Sequence, residues 1–188
     1  MEDKKNISIN QVISERRTIH QFIPGNLPDK SLLLNAIECA CWAPNHHLTQ
    51  PWHFYLLGPE TADAIVQLNA ELIKKKNGET AAKIKTERWS KIPGWLVLTC
   101  NKSENEIRTR EDYAACCCAA QNMMLYLWQE GIGVKWTTGD VIREKQFYNL
   151  IRVSPEMEFV VGLFWYGYAE VIPNISRNPF GHNLTELP

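Results

Sequence analysis

The stretch from about Thr109 to Glu130 constrains this chain more than any other. Read as a helix, it is apolar or small on nearly every side, carrying Ala114, Ala115, Cys116, Cys117, Cys118, Ala119, Ala120, Met123, Met124, Leu125 and Leu127 before Gly131-Ile132-Gly133 stops it. A helix with no polar face has to be covered on all faces. In a chain of 188 residues that much cover is hard to find, so another subunit is expected to supply part of it.

Around this helix, helical and extended patterns intersperse. Trp95 to Cys100 is a near-continuous apolar run, as in a fully buried central strand, and Phe159 to Gly167 is a second. His53 to Leu57 reads as a strand closed by Gly58-Pro59, and Val134 to Gly139 as an extended segment ending in a turn. Ser8-Ile9-Asn10-Gln11 has capping-box spacing for a short helix stopping near Arg16. Pro28-Asp29 suits the start of a helix with Leu32, Leu33, Ala36, Ile37, Ala40 and Cys41 on one stripe, ending before Pro44. Further helices are expected over about Thr61 to Lys76 and Arg143 to Ile151, with a polar, helical and mobile region over 79–92. Lys102 to Arg110 reads as a charged surface connection.

This interspersion implies an α/β or α+β domain spanning 1–188, with a polar tail over about 1–7 and an irregular one from about 171. Pattern alone points to a doubly wound sheet. No G-x-G-x-x-G and no Walker-type sequence follows any strand, so an ordinary Rossmann or P-loop protein is unsupported.

A formal charge of -1 gives no general attraction to nucleic acid or to an anionic membrane, so any anion site must be local. No run approaches the roughly 20 apolar residues that span a bilayer. The polar N-terminus carries no apolar signal stretch, and a cytoplasmic location is expected. Three of the six cysteines are consecutive; neighbouring helix residues point in different directions, so buried free thiols in a reducing compartment are expected rather than a disulfide framework.

Arg16-Arg17-Thr18, with His20 two residues on, is the best candidate anion site. Guanidinium forks match phosphate oxygens, and in an extended segment Arg16, Thr18 and His20 point the same way. The plainer reading is a solvated helix C-terminus. The other candidate is the loop Trp42 to Phe54, which holds two prolines, two tryptophans and three histidines between a helix and a strand. Its prolines stiffen it, and its aromatic planes and polar edges suit a flat, polar-edged ligand; the plainer reading is a stiff corner. Cys39, Cys41, His46, His47 and His53 fit no zinc spacing. Cys41 with His46 as a nucleophile pair lacks an oriented third group, and no paired acids stand at apolar positions. A chain with a phosphate clamp, an aromatic loop and no evident catalytic side chain fits an enzyme whose chemistry belongs to a bound cofactor.

Four stretches, in order, resemble the small single-domain members of the nitroreductase family of FMN-dependent oxidoreductases. They are Arg16-Arg17-Thr18; Ala43-Pro44-Asn45-His46 through Gln50-Pro51-Trp52-His53-Phe54; Gly131-Ile132-Gly133-Val134-Lys135-Trp136-Thr137-Thr138-Gly139; and Val161-Gly162-Leu163 to Gly167. The resemblance implies an α+β fold with a central, mostly antiparallel sheet flanked by helices, in an intertwined homodimer with two FMN sites at its interface. It implies that Arg16, Arg17 and Thr18 bind the phosphate and flavin edge, with His20 completing the clamp. It implies that Trp136, Thr137 and Thr138 line the flavin ring from the same subunit. Trp42 and His46, with Asn45, would reach the partner's flavin. The implied reaction is ping-pong hydride transfer from NAD(P)H through FMN to a nitroaromatic, quinone or related small acceptor.

Three positions depart from the family pattern. His20 stands where many members have Arg or Lys, Thr137 where Arg is frequent, and Leu48 where larger members often have Asn. Arg177 in the tail is a candidate substitute phosphate contact. Two other functions stay open on the residues alone: an FMN-binding storage or sensing protein without turnover, and a metal-dependent enzyme using Cys41, His46 and His47.

Overall fold

The computed structural model describes residues 8–188; the polar tail expected over about 1–7 lies outside them. Four strands form one sheet, β1 (Trp52–Leu56), β2 (Gly94–Asn101), β3 (Ile132–Thr137) and β4 (Glu158–Tyr168), in the order β1-β2-β4-β3. Six α-helices accompany it among the described residues: α1 (Ile9–Glu15), α2 (Lys30–Cys41), α3 (Pro59–Asn77), α4 (Glu79–Trp89), α5 (Glu106–Gln129) and α6 (Lys145–Ile151).

Every neighbouring pair of strands is antiparallel. This corrects the doubly wound sheet that pattern alone suggests and agrees with the α+β architecture that the resemblance implies. The reason lies in the connections. Between β1 and β2 the chain passes through two helices, α3 and α4, so it returns to the end of the sheet it left and β2 runs back. Helix α5 does link two like-directed strands, β2 and β3, but β4 inserts between them and opposes both.

The two apolar runs are the central strands. Gly94 to Cys100 is buried throughout, as is Val161 to Gly167. Side chains alternate between faces along a strand. Leu96, Leu98 and Cys100 therefore join Leu33, Ala36, Ala40, Cys116, Ala120 and Met123 in a core under α2 and α5. Trp95 and Val97 join Ile65, Val66, Trp89, Phe147 and Trp165 in a second core under α3, α4 and α6. Each fully buried leucine of β2 contributes about 1.5–3 kcal/mol relative to exposure.

Local chemistry sets the helix ends. Ser8 Oγ accepts from Gln11 N at 3.3 Å, but the Gln11 side chain donates to Glu15 at 3.0 Å, so only half of a capping box forms. Asp29 caps α2 by accepting from Ser31 N at 2.7 Å. Asn105 Oδ1 accepts from Ile107 N and Arg108 N at 2.9 and 3.2 Å, so α5 starts at Glu106 and much of the expected charged connection is its first turn. Gly131, at φ 78°, closes the far end of α5 in the left-handed region open to glycine. A 3-10 turn, Asp140–Arg143, takes the start of the helix expected from Arg143, and α6 begins at Lys145. The polar region after Gly78 is helical and is pinned by Trp89, which is buried.

Helix α5 is not covered on every side within one chain. Asp112, Ala115, Cys116, Ala119, Ala120, Met123, Met124 and Leu127 face the core, while Ile107, Ala114, Cys118 and Gln121 are exposed. All six cysteines are free, and Cys41 and Cys118 are exposed rather than buried.

Candidate functional site

Between α1 and α2 the chain is tied to the sheet at two single points. Thr18 bridges Val134 in parallel and Phe22 bridges Ala169 in antiparallel. Ile19 N donates to Val134 O at 3.1 Å, and the Ile19 side chain is fully buried. With Ile19 fixed inward, Arg16, Arg17 and Thr18 are half-buried and line a pocket of about 440 Å³ with Ser14, Gln121, Ile175 and Arg177.

Three guanidiniums thus share one pocket. Arg17 Nη1 donates to Ser14 O at 2.7 Å and to Arg16 O at 3.1 Å, which fixes its fork. Among the described residues none of the three pairs with a carboxylate. Burial, then the charges of Arg177 and Arg17, push the Arg16 pKa down from its ordinary value. An arginine stays charged through such a shift, so the pocket concentrates positive charge that an anion would relieve. Arg177 comes from the tail, where no periodic pattern signals it.

His20 does not line this pocket. It faces a separate groove with Gln21, Arg88 and Lys91, and its carbonyl accepts from Arg88 Nη2 at 3.4 Å. The expected alignment of Arg16, Thr18 and His20 on one side fails because the segment makes isolated bridges rather than a continuous ladder. Burial, then Lys135, then Arg88 push the His20 pKa down, so its ring is neutral at neutral pH. The groove carries both signs of charge, with Arg88, Lys91, Glu87 and Glu170 along its lining.

The loop after α2 is rigid for more reasons than its prolines. His47, Leu48 and Gln50 all hold left-handed φ values, of 57°, 50° and 44°, a conformation that costs non-glycine residues energy and persists only where the surroundings enforce it. Asn45 supplies that enforcement: its Oδ1 accepts from Gln50 N at 2.6 Å and its Nδ2 donates to Thr49 Oγ1 at 2.8 Å. Thr49 Oγ1 in turn donates to Asp112 Oδ1 at 2.5 Å. Asp112 is buried, with Arg108 Nε 3.8 Å from its other oxygen. Sequence reasoning missed Asp112; its only signal is an acid one turn before Ala115-Cys116, with Arg108 four residues earlier. The loop holds Trp42 at 83% exposure and Leu48 at 80%, and His46 is exposed as well.

Trp136 is half-buried and committed to the sheet. Its Nε1 donates to Val161 O at 3.2 Å, its ring stacks on Phe164 at 5.2 Å, and it fills the space over Gly162. Thr137 is half-buried beside it, and Thr138 lines a separate cleft with Tyr113, Arg143, Tyr148 and Phe159. Arg16, His20 and Thr138 therefore line three different pockets of one chain.

Burial pushes the Cys41 thiol up, away from an activated nucleophile. Among the described residues no three His, Cys, Asp or Glu side chains converge as a metal site requires.

The Nitroreductase family model matches residues 13–168. The chain belongs to the nitroreductase family. A solved nitroreductase-like family protein from Bacillus cereus is similar to this chain at 31% identity, with a TM-score of 0.83 and 96% of each chain covered. YfhC of Bacillus subtilis (strain 168), provisionally named an NAD(P)H nitroreductase, is 27% identical over 184 residues, which is 95% of this chain and 94% of that protein. The FMN and NADPH-dependent nitroreductase NfnB from Sphigopyxis sp. strain HMH shares the fold, with a TM-score of 0.76 at 14% identity over 96% of this chain and 99% of that one.

Proposed function

We propose that this protein is a homodimeric FMN-dependent oxidoreductase that takes electrons from NAD(P)H and passes them to a nitroaromatic, quinone or related small acceptor, in ping-pong order. The observation that carries the reading is the convergence of Arg16, Arg17, Thr18 and Arg177 on one pocket without a carboxylate partner among the described residues. That donor set fits a phosphate monoester, which guanidinium forks and a hydroxyl can bind through several charge-assisted hydrogen bonds. FMN is named for NfnB and NAD(P)H for YfhC, and both agree with that donor set.

When bound, FMN supplies hydride exchange, so no side chain need act as acid or base. The chain's own residues bind and orient. Arg16, Arg17, Thr18 and Arg177 hold the phosphate. His20, neutral, offers a hydrogen-bonding edge in a groove that Arg88, Lys91, Glu87 and Glu170 also line. Thr137 and Thr138 offer hydroxyls at the end of β3.

The homodimer is supported by two surfaces. The rigid loop projects Trp42 and Leu48 into solvent, and α5 leaves Ile107, Ala114 and Cys118 uncovered. Exposed apolar groups gathered in this way mark an interface. Trp42 and His46 then reach the cofactor of the opposite subunit, which accounts for their exposure on their own chain. Six free cysteines suit a reducing compartment and support a cytoplasmic location. An FMN titration followed by quenching of flavin fluorescence tests the proposal: saturable binding of one FMN per chain is expected, and its absence would overturn it.

A further inference from the structure

A second cavity, of about 590 Å³, is larger than the anion pocket and shares no residue with it. It opens at the end of the sheet where β2 begins, between the starts of α2 and α3. Its deep walls come from both cores: Leu33, Val66, Trp89, Trp95 and Tyr166, each 5% exposed or less. Lys30, Asp63 and Ser90, all exposed, stand at its mouth.

Two polar side chains among those deep walls lack a hydrogen-bond partner among the described residues: Trp89, whose Nε1 is buried, and Tyr166. Tyr166 is 5% exposed and lines the cavity, and among the described residues its hydroxyl has no hydrogen-bond partner. The missing side chain at Gly94 lets the Tyr166 ring lie across the start of β2: a Cβ there would sit 2.4 Å from Cε2 and Cζ of the ring. A buried donor without a partner costs about 1–3 kcal/mol, so the orphan Trp89 Nε1 asks for an acceptor from outside the chain, and the Tyr166 hydroxyl is free to bond to the same molecule.

Water is a poor occupant. A buried water needs two to four polar partners, and across about 590 Å³ the deep wall offers only the Tyr166 hydroxyl and the Trp89 Nε1–H among aliphatic side chains and indole faces. A charged ligand is disfavoured too, because no buried counter-charge lines the cavity. The volume lies within the usual range for small-molecule sites, and indole and phenol rings favour offset or edge-on contact with another ring. We propose that this cavity is a second ligand site, for a neutral, flat aromatic molecule that hydrogen-bonds to the Tyr166 hydroxyl. The proposal goes beyond the flavin reading and does not depend on it.

Calorimetric titration of the purified full-length protein with 2-naphthol, with and without added FMN, tests it. One saturable site per chain is expected, unaffected by FMN and unchanged in Arg16→Ala. Tyr166→Phe should weaken binding about tenfold, the scale of one hydrogen bond. Leu57→Trp, at the half-buried rim, should block entry without disturbing the deep walls, with unchanged far-ultraviolet circular dichroism as the check on folding. No saturable binding to the wild type, displacement of the probe by FMN, or equal binding by Tyr166→Phe and Leu57→Trp would each overturn the proposal. Failure of the flavin reading would show separately, as loss of FMN binding with probe binding intact.

Discussion

Thr49 Oγ1 lies 2.5 Å from the buried Asp112 Oδ1, and that bond fastens the loop after α2 to helix α5. It joins the loop that presents Trp42 and His46 to the helix whose outer face stays uncovered. Thr49→Val keeps the shape and removes the donor, leaving a buried carboxylate short of a partner. A loss of about 1–3 kcal/mol is expected by urea unfolding, with faster proteolysis between Asn45 and Gln50. Thr49→Ser keeps the hydroxyl and should restore most of both. Equal behaviour of the two variants would show that the bond does not hold the loop.

Arg177 lines one pocket with Arg16 and Arg17, and under the proposed function it contacts the FMN phosphate. Arg16→Ala and Arg177→Ala should each weaken FMN binding by about 1.5–3 kcal/mol, the scale of a hydrogen bond to a charged group. Riboflavin lacks the phosphate, so its weaker binding should be the same in wild type and variants. A variant that lost riboflavin and FMN affinity equally would be acting through the fold.

Gly162 bears Trp136. A Cβ at Gly162 would sit 2.0 Å from Trp136 Nε1 and break its bond to Val161 O. Gly162→Ala should therefore cost about 1–3 kcal/mol by overpacking and shift tryptophan emission to the red as the indole is expelled. Unchanged stability and emission would mean that the indole has another resting place.

Much of the fold was legible in the sequence, and physics says which parts. β2 and β4 are apolar on both faces because both faces are covered, so they stand out as runs. Strand direction did not show, because it depends on two helices returning the chain and on β4 inserting between β2 and β3. Neither leaves a mark on residue periodicity. The first turn of α5 was hidden by its charges, with Asn105 as its only sign. The anion pocket was half legible: Arg16, Arg17 and Thr18 are contiguous, whereas Gln121 and Arg177 arrive from a distant helix and an irregular tail. His20 was misplaced because alternation was assumed to persist where the chain makes only single bridges. Asp112 was passed over because it ends the charged run Arg108 to Asp112, which reads as surface.

Alkaline pH should destabilise the protein through its phenols. Tyr55 donates to both oxygens of Glu158 at 3.1 and 3.0 Å, and its pKa is pushed up to about 12 by burial first and then by that carboxylate. Tyr166 is likewise pushed up to about 12, by burial alone. The folded chain holds these protons more tightly than the unfolded chain, whose phenols titrate near 10. Their stabilisation is fully present below about pH 10 and is lost as pH rises from there towards 12. Urea midpoints should fall across that window, and Tyr55→Phe should reduce the slope without removing it, since Tyr166 remains. A slope unaffected by Tyr55→Phe would remove Tyr55 from the account.

The absorption spectrum of purified protein loaded with FMN, recorded anaerobically before and after NADPH and again after menadione, tests the central claim most directly. The account predicts a bound-flavin band that bleaches with NADPH and returns in full with the quinone, each half-reaction proceeding without the other substrate. A protein that takes up no flavin, or whose flavin band NADPH leaves unchanged, would contradict it.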